Sequence, residues 1–478
     1  MKLSVSDFNR LEEKYNLYTD TIEDINYWIY SRFDIWNYIR SVSEEAIGAI
    51  HNAPKGLGHK MKDVFCISKN ILLGKRIKRE KIDILFLNHE RKIKSGGIYQ
   101  CKYTEEVSRQ YKQYYIFERP YEMRHFKPTN EKNLIYLDGI AAKGNLYYYL
   151  EKYFNKKHLF ELKKELKKKL SSMFQELQEK TGYNLEIDKM IHIISRRVLI
   201  CKGKYGEYEK IFQKIHPKLI IEVVHYNMDC MIVNEIAKRA GIPTVELQHG
   251  NIFDSHIAYK YGKTERLGQL PDEVWLLSEY WKEDIVLPID KERIISVGFP
   301  YFEKRIADYK MRYHRAEEYK TILFISQGTI GEGLSRFAVR FAEICGNLNY
   351  RIIYKLHPGE IAAWRQLYPE LVASKRIEVI DDLETDLYQL FAQSNIQVGV
   401  YSTAIYEGIG FGLDTYICEM PYAEEMKRLC EKGYATLVKT PEELKQRLEQ
   451  IDDGRKLPEF WTKDALNNIR RQISRFVS

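Results

Sequence analysis

Three short segments carry side chains able to move a proton or hold a phosphate. Gln248-His249-Gly250-Asn251 closes an apolar run at residues 245–247 in a polar turn. An imidazole titrates near neutral pH, so His249 can accept the proton of an attacking hydroxyl. Gly250 allows a tight turn or the close passage of a substrate, with Gln248 and Asn251 beside it on the acceptor side. A histidine buried for structural reasons is the competing reading. Lys355-Leu356-His357-Pro358 ends a second apolar run. Pro358 stops the strand and presents His357, which can donate to a phosphate, with Lys355 two residues earlier. The third segment is Tyr401-Ser402-Thr403, with Glu407 a turn further on. Hydroxyls and free N–H groups where a helix begins attract phosphate, although simple capping is an equally physical use of Ser402 or Thr403. Gln327-Gly328 ends one more strand of the same kind. Together these segments outline a donor nucleotide pocket at Gln327, Gly328, Lys355, His357, Pro358, Ser402, Thr403 and Glu407, with Glu407 placed for ribose hydroxyls.

Each of these segments needs a parallel strand before it and a helix after it. Residues 218–224, a helix over 231–239 and residues 244–247 read as a right-handed crossover. Short strands are expected at 81–88, 133–137, 274–277 and 294–297. A second series covers 321–325, 351–356, 377–380, 396–401 and 415–418, with helices at 336–345 and 387–393. The fold class is therefore α/β, with two Rossmann-like domains facing a central cleft and helical N-terminal additions. The expected boundaries are 1–310 for an acceptor-side domain and 311–457 for a donor-binding domain. The tail, 458–478, is expected as a helix crossing back to the first domain. Residues 302–320, charged and without strand signal, serve as the connector.

Residues 1–50 read as helical, with Tyr27, Trp28, Tyr30, Phe33, Trp36 and Tyr38 either packed on the body or facing a lipid-linked acceptor. Residues 151–180 form a Lys-rich amphipathic helix or helix pair, with Leu159, Leu162, Leu166 and Leu170 on one face. Its lysines suit either a solvated surface or attachment to anionic lipid or a polyanionic acceptor. Gly96-Gly97 is a flexible turn and weak evidence for a phosphate loop.

A chain of 478 residues is long enough for two cores. Its net charge of +8 comes from 75 basic against 67 acidic side chains, an excess too small to indicate nucleic-acid binding. Seven dispersed cysteines, with no C-x-x-C pair, fit a reducing cytosol better than a disulfide framework or a zinc site. No apolar run approaches the roughly 20 residues of a membrane span, and the N-terminus lacks a signal-peptide core. A cytoplasmic protein is expected, soluble or peripheral on the inner face of the membrane.

Gln248-His249-Gly250, Lys355-Leu356-His357-Pro358 and Tyr401-Ser402-Thr403 with Glu407 resemble, in order and spacing, the GT-B glycosyltransferase superfamily. Within it they are most similar to bacterial capsule, spore-coat and teichoic-acid enzymes: CDP-glycerol glycerophosphotransferases and HP-motif sialyl- or Kdo-transferases. The likeness covers roughly residues 218–420 and leaves the first 200 residues unassigned. It implies donor phosphates held by His357, Ser402 and Thr403, and His249 as general base. Gln248-His249-Gly250 departs from the acidic motif of the sialyltransferases, which moves the base from carboxylate to imidazole. The resemblance implies a metal-independent enzyme with no cofactor beyond a CMP/CDP or UDP/dTDP-type donor, acting on a polysaccharide or lipid-linked acceptor. Asp381-Asp382 lacks the partners of a metal site. The alternatives are an epimerase of the UDP-GlcNAc 2-epimerase type and a non-catalytic GT-B scaffold subunit.

Overall fold

The structure is a computed structural model describing residues 3–42, 77–121, 124–253, 255–346, 349–450 and 459–477. Cys66 and the end of the 1–50 stretch lie outside the described residues. The chain divides into two compact units, Met1–Pro300 with Asp464–Ser478, and Tyr301–Lys463.

The first unit contains β1 (Ile84–Leu87), β2 (Ile93–Ser95), β3 (Ile98–Gln100), β4 (Tyr114–Glu118) and β5 (Leu134–Tyr136). It continues with β6 (Leu219–Glu222), β7 (Thr244–Leu247), β8 (Glu273–Leu276) and β9 (Ile294–Ser296). Seven of these form one parallel sheet in the order β5-β4-β1-β6-β7-β8-β9. β1, β6, β7 and β8 are buried along their whole length, because a parallel sheet is covered on both faces. Ile84, Phe86, Ile221, Val245 and Trp275 share a core with Ile469 and Ile473 of the C-terminal helix Ala465–Ser474. Arg475 ends that helix and donates to buried Glu273 at 2.7 and 3.1 Å.

The second unit holds β10 (Lys320–Ile325), β11 (Tyr350–Lys355), β12 (Ile377–Ile380), β13 (Ile396–Gly399), β14 (Asp414–Cys418) and β15 (Thr436–Val438). They pair in parallel in the order β12-β11-β10-β13-β14-β15. Counted within each unit, both sheets run 3-2-1-4-5-6, the doubly wound Rossmann order, and the first adds one further strand. The order reverses between β1 and β6 in one unit and between β10 and β13 in the other.

Several expectations are corrected. Residues 302–320 are no simple connector: a helix, Pro300–Arg312, occupies most of the stretch, burying Tyr301 and Phe302. The division between units falls at the start of that helix and not at residue 310. The N-terminal stretch is helical at Val5–Lys14 and Arg32–Val42, whereas Tyr27, Trp28 and Tyr30 are buried in turns. Gly96 and Gly97, both at positive φ, make the two-residue turn of the β2–β3 hairpin and not a loop ending a parallel strand. The Lys-rich segment, by contrast, is a helix pair, one of the two expected alternatives: the end of Asp138–Phe154 and Lys156–Thr181, followed by Ile187–Phe212. Among the described residues no helix is long and apolar enough to cross a membrane.

Candidate functional site

Open α/β sheets bind ligands beyond the carboxyl ends of their strands, where strand order reverses. In the first unit a pocket of about 700 Å³ lies there. His89, Glu90 and Arg91 follow β1; Val224, Tyr226, Asn227 and Met228 follow β6; His249 follows β7. Phe33 and Asp34 from the N-terminal segment and Arg197 from Ile187–Phe212 complete the wall, with Arg197 paired to Asp34. The N-terminal segment is anchored by buried Arg32, which pairs with Glu12 at 2.6 Å and donates to the carbonyls of Ile257 and Lys260. Val224 has φ 69°, an uncommon conformation for a β-branched residue that costs about 1–3 kcal/mol and persists where its surroundings enforce it. Asn227 caps Met228–Arg239 by accepting from the Asp229 N–H at 2.9 Å, so that helix begins before the expected residue 231.

His249 sits over a buried acid–base network. Glu246, wholly buried on β7, accepts from the His225 ring at 2.6 Å, the His225 backbone at 3.2 Å and the Tyr259 hydroxyl at 2.8 Å. Burial opposes charge on both partners, yet their mutual attraction raises the His225 pKa and lowers that of Glu246, giving an enclosed ion pair. His249 Nδ1 stands 3.8 Å from the same carboxylate, beyond hydrogen-bond reach, and has no partner. Its Nε2 meets the Tyr226 hydroxyl at 3.2 Å. The Tyr103 hydroxyl donates to its carbonyl and fixes the turn. The His249 side chain is only 14% exposed. Burial, with the nearby His89, His256 and His225 rings, pushes its pKa down to about 3 against the pull of Glu246. It is therefore neutral at pH 7. A proton on Nδ1, facing Glu246, makes Nε2 the acceptor nitrogen, where it meets the Tyr226 hydroxyl and where a substrate hydroxyl in its place would deliver its proton. His89, 5.7 Å away ring to ring, is likewise lowered, to about 4 by burial.

Gln248, expected beside a substrate, is buried. Its amide donates to the Gly250 carbonyl at 2.8 Å and accepts from the Leu277 N–H at 2.9 Å, bracing the turn from beneath. Gly250 is not at positive φ, and an added Cβ would meet nothing within 4 Å, so the backbone itself does not demand glycine. Asn251 is half-buried, with an unpartnered Nδ2.

In the second unit, β11, β10 and β13 are neighbours, so the loops bearing His357, Gln327-Gly328 and Ser402 lie side by side at one sheet edge. Two links hold them. Buried Glu360 accepts from the Ser326 hydroxyl at 2.8 Å, the His357 N–H at 2.7 Å and the Tyr368 hydroxyl at 2.6 Å. Thr329 hydrogen-bonds Tyr401, joining the β10 and β13 loops. His357 and Pro358 are exposed, and His357 Nδ1 accepts from the Gly359 N–H at 3.1 Å. Ser402 caps the helix Thr403–Gly410 by accepting from the Ala404 N–H at 3.3 Å; Thr403 is exposed. Gln327 has a buried, unpartnered Oε1 and Gly328 is exposed. Lys355 is directed to the Asp382 carbonyl at 2.7 Å, and Glu407 already engages the Tyr388 hydroxyl. Among the described residues no group of three or more His, Cys, Asp or Glu is arranged to hold a metal ion.

Glu246 and Glu360 are absent from the sequence reading. Each is a carboxylate at the edge of, or inside, an apolar run. A buried carboxylate demands a partner, and that is the signal that could have found them.

No protein-family model matches the chain. No curated protein sequence matches it. Solved structures do. UDP-GlcNAc 2-epimerase from Methanocaldococcus jannaschii superposes with a TM-score of 0.50 at 10% identity, covering 83% of this chain and all of its own. MurG from Acinetobacter baumannii gives 0.46 at 11% identity over 82% of this chain and 99% of that one. The wall teichoic acid polymerase TagF gives 0.38 at 10% identity over 88% and 92%. The first of these likenesses, with the two strand orders, establishes the fold: two Rossmann-like α/β domains of the GT-B type.

Proposed function

We propose that the protein is a nucleotide-dependent transferase that moves a sugar, or a glycerol-phosphate-like group, to an acceptor hydroxyl. The observation that carries this reading is the placement of His249, Gln327, His357 and Ser402. All four stand at carboxyl strand ends in two sheets of the same topology. Gln327 and Ser402 follow the two strands between which the order reverses, and His249 and His357 follow strands one place away from a reversal. In this reading the acceptor enters the pocket of the first unit, and His249 Nε2 takes the hydroxyl proton as its oxygen attacks the donor. The bond to the nucleotide's phosphate oxygen breaks. The His357 imidazole and the N–H groups at Ser402 and Thr403 stabilise the charge growing on that phosphate. An imidazole with a pKa of about 3 is a weak base. A negatively charged substrate beside it would raise its basicity, as Glu246 already does in part. Glu246 acts through His249 and is a positioning residue. We infer a surface polysaccharide or glycolipid acceptor from the resemblance at the three motifs alone.

The fold likeness to a UDP-GlcNAc 2-epimerase favours a second reading, isomerisation of a nucleotide sugar with no acceptor. One experiment separates them. The protein is incubated with CMP-, CDP-, UDP- and dTDP-linked donors, with and without oligosaccharide acceptors, and the products are weighed by mass spectrometry. An acceptor that gains the donor's group supports transfer, and a rearranged donor formed without acceptor supports epimerisation. Unchanged donors throughout would sink both and favour a non-catalytic scaffold.

A further inference from the structure

The helix Asp138–Phe154 buries one face through Ile140, Gly144 and Tyr148 and leaves an apolar stripe bare. Leu146, Tyr149, Leu150 and Tyr153 recur at spacings of three, four and seven residues, one line along a helix, and are 46–58% exposed. Phe154 extends the line at 85%, and Phe160, in the first turns of Lys156–Thr181, is 64% exposed. Six of the thirteen exposed large hydrophobics among the described residues fall within residues 146–160. The other seven are scattered, as on any protein surface.

The charge around this patch is predominantly positive. Lys156, Lys157, Lys163, Lys164 and Lys167 lie three, four or seven residues from Phe160, so that ring emerges from a lysine face. Residues 152–169 contain eight lysines and two glutamates; Lys164 lies 3.9 Å from Glu161, and Lys167 and Lys169 pair with Asp188 and Asp20, so the segment keeps a net positive charge. The patch also stands on a fixed base. A Cβ on Gly203 would lie 2.9 Å from Gly144 Cα, so Asp138–Phe154 is in close contact with Ile187–Phe212. At the corner between the two exposed helices, His158 bonds Glu151 at 2.6 Å and Glu23 at 2.5 Å.

We infer that this corner docks on an anionic phospholipid bilayer, its aromatic stripe in the headgroup boundary and its lysines on lipid phosphates. Aromatic rings beside lysines whose long stems reach to charged headgroups are the physical signature of such a surface. A second copy of the chain is the poorer occupant, since pairing two such corners sets lysine against lysine. The inference uses no residue of either sheet end and stands apart from the reading of the reaction.

The test is sedimentation of the full chain with vesicles of phosphatidylcholine alone, or of phosphatidylcholine and phosphatidylglycerol in equal parts, at low and high salt. Binding should favour the phosphatidylglycerol vesicles by about tenfold or more and weaken as salt rises. The pair Phe154→Ser, Phe160→Ser and the pair Lys156→Glu, Lys157→Glu should each lower that binding about tenfold with an unchanged circular dichroism spectrum, since all four side chains are exposed. Failure of the wild type to sediment with either vesicle overturns the inference. So does wild-type binding by the lysine variant, or a dimer, seen by light scattering, that the phenylalanine variant dissolves.

Discussion

At the carboxyl end of the first sheet the chemistry is enclosed. His249 keeps 14% of its side-chain surface and lies over the buried His225–Glu246 pair, with two more imidazoles, His89 and His256, lowered to about 4. At the same end of the second sheet His357, Gly328 and Thr403 are exposed, and the buried carboxylate Glu360 ties loops together beneath them. One strand order thus carries two unlike settings, one enclosed and one exposed. Tuning a base needs a dry surrounding in which nearby charges act strongly. Holding a phosphate needs accessible donors on a rigid ledge.

This contrast can be broken variant by variant. His249→Ala should lower transfer by roughly 10²–10⁴-fold, the range for a lost general base, measured as initial rate at saturating donor. An active variant would remove His249 from the chemistry. Glu246→Ala leaves a buried charged imidazole without its partner and should cost about 3–5 kcal/mol of stability, read from the urea midpoint. Transfer should fall with it, and Glu246→Gln should restore part of the stability but little of the rate. A further prediction concerns pH. The lowered pKa values of His89, His249 and His256 mean that the unfolded chain, with imidazoles near 6.5, binds more protons than the folded one. Stability of the first unit should therefore decline as pH falls from about 6.5 towards 5, opposed in part by buried Glu222, whose pKa burial raises to about 7 so that its folded form gains a proton in this window. His225, whose pKa is raised, contributes in full below 6.5 and loses its contribution only as pH rises through its folded value. A urea midpoint that does not move between pH 6.5 and 5 would contradict the enclosed reading of these imidazoles.

Much of the fold is legible in the amino-acid order because buried parallel strands are short apolar runs ended by polar turns. Residues 218–224 and 244–247 read as β6 and β7 for this reason, and the two-sheet α/β class follows from their recurrence. Other elements carry no such mark. β4, Tyr114–Glu118, is an equally apolar run, but no glycine or proline marks its start and the expected turn chemistry is missing. Ile187–Phe212 is rich in both β-branched and charged residues, so local propensity opposes the helix that packing against Asp138–Phe154 selects. The site is legible as positions and not as environments. His249 can be picked out from its turn, whereas its low pKa comes from burial and from the His89, His256 and His225 rings, which only the folded sheet brings close. Gln248 illustrates the converse, a polar residue next to a candidate base that in fact braces the backbone.

In the proposed reaction the exposed ledge of the second unit binds a nucleotide diphosphate while the enclosed site of the first handles the proton. Calorimetric titration of CMP, CDP, UDP and dTDP into the wild type, His357→Ala and His249→Ala tests it most directly. At least one nucleotide should bind the wild type, about tenfold or more weaker to His357→Ala, as loss of a charge-assisted hydrogen bond predicts, and equally well to His249→Ala. Absence of binding by all four, or a loss of affinity in His249→Ala as large as in His357→Ala, would contradict the account.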